Sequence, residues 1–573
     1  MRNSEVAKVL YEIADLLELQ DVSFKPRAYR RAARSIESLS EDLMAIAKRG
    51  ELEQIPGVGQ AIAVKIQELL KSGRLQYLEK LRGEVPAGLV ELLRVPEIGP
   101  KTLRILHERL GISNIEQLRE AVESHSLRDL PGFGVRSEEN IRHNLGLLSE
   151  HQERTFIGKA YPLAERIVGV LKKLPEVEQI DVAGSLRRWQ ETVGDIDIVV
   201  AAKNPVPVMN KFVTIDDVDR VIGHGDTKST IIVREGIQVD IRVVKPESFG
   251  AALQYFTGSK AHNISLRRLA QQRKWKLSEY ALTDTKSNAT IAGSSEEEIY
   301  KALGLAWIPP ELREDTGEIE ASMKNRLPKL VELENLRGDL HVHTKWSDGA
   351  DSIEQMVKAA TQRGYEYLGI CDHSSRVRIA HGLDSERLQE QIETIRSIDE
   401  KLSHFHLLSG VEVEILEDGS LDIPDEVLAK TDVVVAAMHF GSKAPKEELT
   451  QRIVTAMENS YVDILAHPTG RIINTRPPYN VNLDEIMKKA KQHHIYLEIN
   501  SLDRLDLSDV AARQAKAHGL KLVINSDAHK AAQLDVMRFG AAMARRGWLE
   551  SGDVINTRSF SQLKKMLKHV QVQ

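Results

Sequence analysis

Apolar residues at Val6, Val9, Leu10, Ile13, Leu16 and Leu17 recur at helical spacing, and the first 150 residues continue as short helical stretches broken by Pro-Gly punctuation. Three breaks are alike: Ile55-Pro-Gly-Val-Gly59, Val95-Pro-Glu-Ile-Gly99 and Leu130-Pro-Gly-Phe-Gly134. Each precedes a helical stretch, such as 61–70 or 101–110. Their prolines stand at 56, 96 and 131, so the unit returns after 40 and then 35 residues, too loosely for a solenoid. Over 155–310 β-branched apolar runs take over, at 179–183, 196–201, 230–233 and 237–244, flanked by helical patterns such as 161–171. Residues 311–337 are charged and weakly periodic and read as a linker. From Gly338 short apolar strands (367–370, 433–437, 461–466, 495–499 and 520–524) alternate with helical stretches, and each ends in His, Asp, Glu or Asn. Polar groups at the C-terminal ends of successive parallel strands predict a β/α barrel.

Composition narrows the class. A chain of 573 residues predicts about four domains. With 42% hydrophobic and 28% charged residues it reads as soluble and globular. No run of 18 apolar residues exists to span a membrane, and Met1 to Gln20 lacks the apolar centre of a signal peptide. The lone Cys371 excludes an internal disulfide and a cysteine-ligated zinc finger. The expectation is a cytoplasmic monomer. A net charge of −6 gives no global attraction to nucleic acid, so any basic footprint must be local. Histidine is skewed: 13 of the 19 lie from His341 onward.

The three Pro-x-x-Gly turns each open a helix, whose free N–H groups can cradle an anion. Gly57, Gly59, Gly99, Gly132 and Gly134 would let a DNA phosphate approach closely. The turns resemble helix-hairpin-helix motifs, which grip the DNA backbone without reading sequence. Lys25-Pro-Arg-Ala-Tyr-Arg-Arg-Ala-Ala-Arg34 adds five basic residues in ten, with Lys25 and Arg30 suited to phosphates and Tyr29 to a base.

In the middle region Asp195 and Asp197 stand i and i+2 on one strand face. A second strand, Ile237-Gln-Val-Asp-Ile-Arg-Val-Val244, offers Asp240. Three convergent carboxylates can hold two Mg²⁺ ions for phosphoryl transfer. Upstream, Gly184-Ser185 can contact a triphosphate and Arg188 can pair with its oxygens.

Residues 1–315 thereby resemble a family X DNA polymerase, the group containing DNA polymerase beta. Gly184-Ser185, Arg188, Gly194-Asp195-Ile-Asp197 and Asp240 match its catalytic pattern, and Tyr255-Phe-Thr-Gly-Ser259 with Asn263 matches its motif beside the incoming nucleotide. The resemblance implies that Asp195 and Asp197 bind both metals and that Asp240 helps to activate the primer 3′-hydroxyl. It places Tyr255, Phe256, Gly258 and Asn263 at the nucleotide, where Tyr255 and Phe256 disfavour a ribose 2′-hydroxyl. Lys65 falls where members with 5′-deoxyribose-phosphate lyase activity keep their Schiff-base lysine. Ala61 and Phe24 stand where that pattern has a lysine and a histidine, and the alternative is a lysine on a DNA-facing helix.

Further on, Asp339-Leu-His341-Val-His343 and Asp348 are followed by His373, Glu412, His439, His467, Asp527 and His529 near strand ends. His, Asp and Glu without thiolates suit zinc or manganese. Arg376, Arg378 and Arg471 are candidates for substrate phosphate by charge. Residues 338–565 resemble the PHP (polymerase and histidinol phosphatase) domain. That implies a distorted β/α barrel with a trinuclear Mn²⁺ or Zn²⁺ site that hydrolyses phosphoesters.

The expected layout is multidomain, α and α/β: a helical DNA-binding domain (1–83), a helix-hairpin-helix fingers-like domain (84–150), a nucleotidyltransferase palm (151–250), a thumb-like dNTP-selection subdomain (251–315), a linker (316–337) and a PHP phosphoesterase (338–573). Together they resemble the prokaryotic PolX proteins. That implies filling of short gaps in gapped or nicked DNA from dNTPs during base excision repair. It adds a 3′→5′ exonuclease that cleans 3′ ends, with abasic-site cleavage a further candidate. Alternatives are a PHP nuclease whose front half only binds DNA, a histidinol-phosphate-type phosphatase, and a non-catalytic DNA scaffold.

Overall fold

The computed structural model describes residues 154–568 without a break. It also describes 3–145, save 21, 23, 38–42, 73–74, 86, 93–94, 96–97, 129, 131–132, 135–136, 139–140 and 143–144. The chain forms two compact units, Met1–Glu153 and Arg154–Gln573.

The first unit is helical, and its helices include Asn3–Leu19, Lys25–Glu37, Gln60–Ser72, Pro100–Leu110 and Ile115–Glu123. Val6, Leu10, Ile13 and Leu17 turn one stripe of the first helix into a core shared with Ile36, Ile66, Leu103 and Leu118. The three repeated turns share one hydrogen-bond plan. The amides of Val58, Ile98 and Phe133 donate to the carbonyls of Ile55, Val95 and Leu130 at 2.9, 3.0 and 3.0 Å. The carbonyl of the glycine that ends each turn, Gly59, Gly99 or Gly134, then accepts a helical bond, from Ala63, Leu103 and Glu138. Ile55, Val58, Val95, Ile98 and Leu130 thus bury, Phe133 partly so, while Gly59, Gly99 and Gly134 stay at the surface.

The second unit opens on helix Ile157–Leu171 and a five-stranded sheet: β1 (Gln179–Val182), β2 (Asp195–Ala201), β3 (Val218–His224), β4 (Lys228–Val233) and β5 (Gln238–Val244). The sheet order is β1-β2-β5-β4-β3, with β2 and β5 parallel and the other pairs antiparallel. Strand β3 escapes the sequence pattern because it is a sheet edge whose residues are mostly exposed. Helices Phe249–Thr257 and Lys260–Gln272 lead to a small antiparallel sheet of Trp275–Leu277, Leu282–Asp284 and Thr290–Ala292.

Residues 311–337, read above as a linker, instead hold helix Glu318–Met323 and buried charge. Glu296 pairs with both Arg313, at 2.6 Å, and Arg187, at 2.8 Å. Glu318 pairs with the buried His262 at 2.6 Å. Polar residues that neutralise one another can be buried where isolated ones cannot.

The final region has seven parallel strands in chain order: β6 (Gly338–Val342), β7 (Tyr367–Ile370), β8 (His406–Glu414), β9 (Val433–Ala437), β10 (Ile464–Leu465), β11 (Tyr496–Asn500) and β12 (Leu522–Asn525). The run expected at 461–466 shortens to β10. The sheet curls until its ends meet: Asp527 N–H donates to His341 O and His343 N–H to Ala528 O. At the opposite end of this seam the buried Asn556 amide donates to both Gly338 O and Ile524 O. The result is a nearly closed parallel barrel.

Candidate active sites

Parallel pairing puts Asp197 opposite Asp240 on neighbouring strands, with Asp195 two residues upstream on the same face. All three carboxylates offer atoms within 4.8 Å of one another. Burial, then Asp195 and Asp240, push the Asp197 acid up to about 7. Burial and Asp240 raise Asp195 as well. Like charges this close call for a cation. Asp240 is held by hydrogen bonds from Thr230 Oγ1 and from Gln238 Nε2.

Gly184 caps this cluster. Its φ is +61°, and a Cβ there would lie 2.3 Å from Asp197 Oδ2, so both backbone and space exclude a side chain. Ser185 and Arg188 follow on the short helical turn that starts at Gly184, and the exposed Gly194 directly precedes Asp195. Arg187 turns inward to Glu296 and Thr257. Arg188 stays at the rim, donating through Nε to Glu314 Oε1 at 3.0 Å and through Nη1 to Thr257 O at 2.5 Å. The Tyr255 and Phe256 rings meet edge-on at 5.2 Å, and Arg242, two residues after Asp240, lies 4.4 Å from the Phe256 ring centre. Gly258, at φ +72°, packs beside Arg188. The Asn263 amide faces inward, donating to Tyr255 O and accepting from Gln254 Nε2, both at 2.7 Å.

At the barrel's strand ends all nine expected ligands converge. His343, Asp348, His373 and His529 each offer an atom within 4.8 Å of the others. So do His341, His343 and Asp527, and so do His373, Glu412 and His439. His467 Nε2 joins through Glu412 Oε1 at 3.1 Å. His373 Nδ1 stands 2.7 Å from Glu412 Oε2, yet neither atom has a hydrogen-bond partner among the described residues. His343 Nδ1 and His467 Nδ1 are likewise buried and unpartnered. Such orphaned lone pairs fit divalent metal. Although burial opposes its charge, Glu412 lies well below the usual carboxylate range because of the His373, His439 and His341 imidazoles. His529 is lifted to about 9, against the penalty of burial, chiefly by Asp348 and Asp527.

Comparisons with known proteins agree with this geometry. Residues 1–75 match a helix-hairpin-helix domain family and 89–145 the SAM-like helix-hairpin-helix tandem. Residues 252–314 match the DNA polymerase beta thumb and 339–502 the PHP domain. The chain is 38% identical over 572 residues to a Bacillus subtilis (strain 168) protein named DNA polymerase/3′-5′ exonuclease PolX, covering 99% of this chain and 100% of the relative. The chain belongs to the PolX family. It is also 29% identical over 244 residues to a protein named probable phosphatase from Thermoanaerobacter sp. (strain X514), covering 40% of this chain and 94% of the relative.

In this PolX chain the expected DNA contacts divide. Gly59 and Gly99 are exposed at helix starts, and Gly134 is exposed too. Gly57 has φ +87° and abuts Arg31, while Gly132 lies outside the described residues. Lys25 is exposed. Tyr29 corrects the expectation of base stacking: it is buried in the helical core and stacks on Tyr77 at 6.4 Å. Arg30 is held by Asp15 at 2.7 Å and Glu18 at 2.5 Å, two acids that already offset its charge. Lys65 Nζ donates to Ala61 O and covers the Tyr77 ring, contacts that suit a lysine held along its own helix. Near the barrel, Arg471 is pinned to Glu191 at 2.7 Å rather than free for substrate, Arg376 pairs with Glu417, and Arg378 is exposed.

The sequence reading missed the layer behind the PolX barrel ligands. Glu498, on β11, accepts from His341 Nδ1 and from the His467 amide, both at 2.8 Å. Glu414 accepts from His439 Nδ1 at 2.8 Å, and Asn500 Nδ2 donates to Asp527 at 3.0 Å. The missed signal is a charged or amide residue inside an otherwise apolar strand, Tyr496-Leu-Glu-Ile-Asn500.

Proposed function

We propose that this chain is a gap-filling repair polymerase that carries its own 3′→5′ exonuclease, acting as a monomer in the cytoplasm. The observation that carries the reading is the presence of two separate ligand clusters, three carboxylates on β2 and β5, and eight residues at the barrel's strand ends that His467 joins through Glu412.

At the palm, Asp195, Asp197 and Asp240 would hold two Mg²⁺ ions, which supply charge neutralisation for phosphoryl transfer. Asp240, fixed by Thr230 and Gln238, receives the primer 3′-hydroxyl and accepts its proton. Gly184 and Ser185 present backbone and hydroxyl to the dNTP triphosphate, and Arg188 pairs with its oxygens. Tyr255 and Phe256 line the sugar, with Asn263 holding the Tyr255 carbonyl in place. At the barrel, the nine ligands would hold three Mn²⁺ or Zn²⁺ ions, which supply Lewis acidity that activates water against a phosphodiester. Glu498 and Glu414 bind the Nδ1 side of His341 and His439, leaving Nε2 of each toward the centre. The helix-hairpin-helix turns hold gapped or nicked DNA by its backbone. Trimming and refilling by one molecule suits damaged termini, including those at abasic sites.

The test is extension on a 5′-phosphorylated one-nucleotide gap with Mg²⁺ and with Mn²⁺. Asp195→Ala should abolish extension, by at least about 100-fold, and keep 3′ trimming. His341→Ala should do the reverse. Trimming by the wild type, with no extension by either the wild type or His341→Ala, would show that the front half serves only to position DNA.

A further inference from the structure

We propose that Arg546, at the end of helix Met537–Arg546 beyond the last barrel strand, is a positioning residue for the polymerase's nucleotide site. This rests on the reading of Arg188 as the triphosphate's partner. Arg188 is held at two of its three guanidinium nitrogens, and among the described residues Nη2 takes no hydrogen bond, which leaves it to donate outward. The carboxylate behind it, Glu314, accepts at Oε1 from Arg188, from Gln190 Nε2 at 2.5 Å and from Arg546 Nη1 at 3.0 Å. The same Arg546 nitrogen donates to Arg188's own carbonyl at 2.7 Å. Arg546 therefore fixes Arg188 twice, through its backbone and through the acid that holds its side chain. Arg546 is itself immobile: its side chain is 5% exposed, and Nε and Nη2 both reach Asp509 Oδ2, at 2.9 and 2.7 Å.

A planar guanidinium can brace a carboxylate and a carbonyl at once, which a lysine cannot do with the same rigidity. Arg188 touches the nucleotide in its ground state, so loosening it weakens binding more than chemistry. The barrel region is then part of the polymerase's substrate grip, not only a separate nuclease.

The experiment measures KM for the dNTP and kcat on the one-nucleotide gap. It uses the full chain as wild type, Arg188→Ala, Arg546→Ala and Arg546→Lys, with 3′ trimming of single-stranded DNA as an internal control of folding. Arg546→Ala should raise KM about tenfold with kcat within about twofold and trimming unchanged, and Arg546→Lys should fall between it and the wild type. If Arg188→Ala raises KM and Arg546→Ala does not, the proposal is overturned while the Arg188 reading stands. If Arg188→Ala leaves KM unchanged, the Arg188 reading fails and takes this one with it. Should Arg546→Ala lose trimming as well, Arg546→Lys decides alone: an unchanged KM overturns the proposal.

Discussion

The two clusters solve opposite electrostatic problems. The palm gathers three acids into one cluster, and the charges that chiefly oppose the rise of Asp197 are Arg242 and Lys228. The barrel interleaves acids with imidazoles, and a buried second layer of Glu498, Glu414 and Asn500 holds them in turn. The palm carboxylates raise one another's pKa, whereas Glu412 in the barrel is held low by the imidazoles beside it.

Three perturbations sharpen or break this contrast. The largest should come from Gly184→Ala. A Cβ 2.3 Å from Asp197 Oδ2 must push the carboxylate aside, and a misplacement of that order costs about 100-fold in extension, with trimming untouched. Wild-type extension by this variant would mean that the palm tolerates a displaced Asp197. Next, Glu498→Gln removes a charge that orients His341 and should cost about 10- to 100-fold in trimming at limiting Mn²⁺. Equal trimming at every Mn²⁺ concentration would remove the case for a supporting layer. The smallest is a pH effect confined to the palm. The Asp197 pKa is raised in the folded state, so in metal-free protein this group's contribution to stability is present at low pH and is lost as pH rises through about 7. Protons and Mg²⁺ then compete below that value, and the half-saturating Mg²⁺ for extension should rise about tenfold per pH unit. A Mg²⁺ requirement that is flat between pH 6 and 8 would show Asp197 to be ionised before the metal arrives.

Much of both sites was legible because ligands obey short-range geometry. Asp195 and Asp197 alternate on one strand, Asp240 sits in an apolar run, and His341 and His343 repeat that spacing at a strand end. What escaped has long-range causes. Glu296 and Arg313, or Glu314 and Arg546, look solvated to any local pattern, because the partner that neutralises each lies elsewhere in the chain. The same blindness made 311–337 resemble a linker and made Tyr29 and Arg30 resemble a DNA contact. Glu498 was overlooked because it acts on ligands rather than on a metal, so no ligand spacing marks it.

The seam sealed by Asn556 has a consequence for biosynthesis. The seam cannot take its Asn556 bonds until that residue has left the ribosome, long after Asp195, Asp197 and Asp240 have emerged. At about 5–20 residues per second, a nascent chain holds all three palm acids for roughly sixteen seconds to a minute before it can assemble a nuclease. Arg546 emerges in the same late stretch as Asn556. A half-made molecule therefore has neither its eraser nor the brace for its nucleotide grip, and the two activities come of age together.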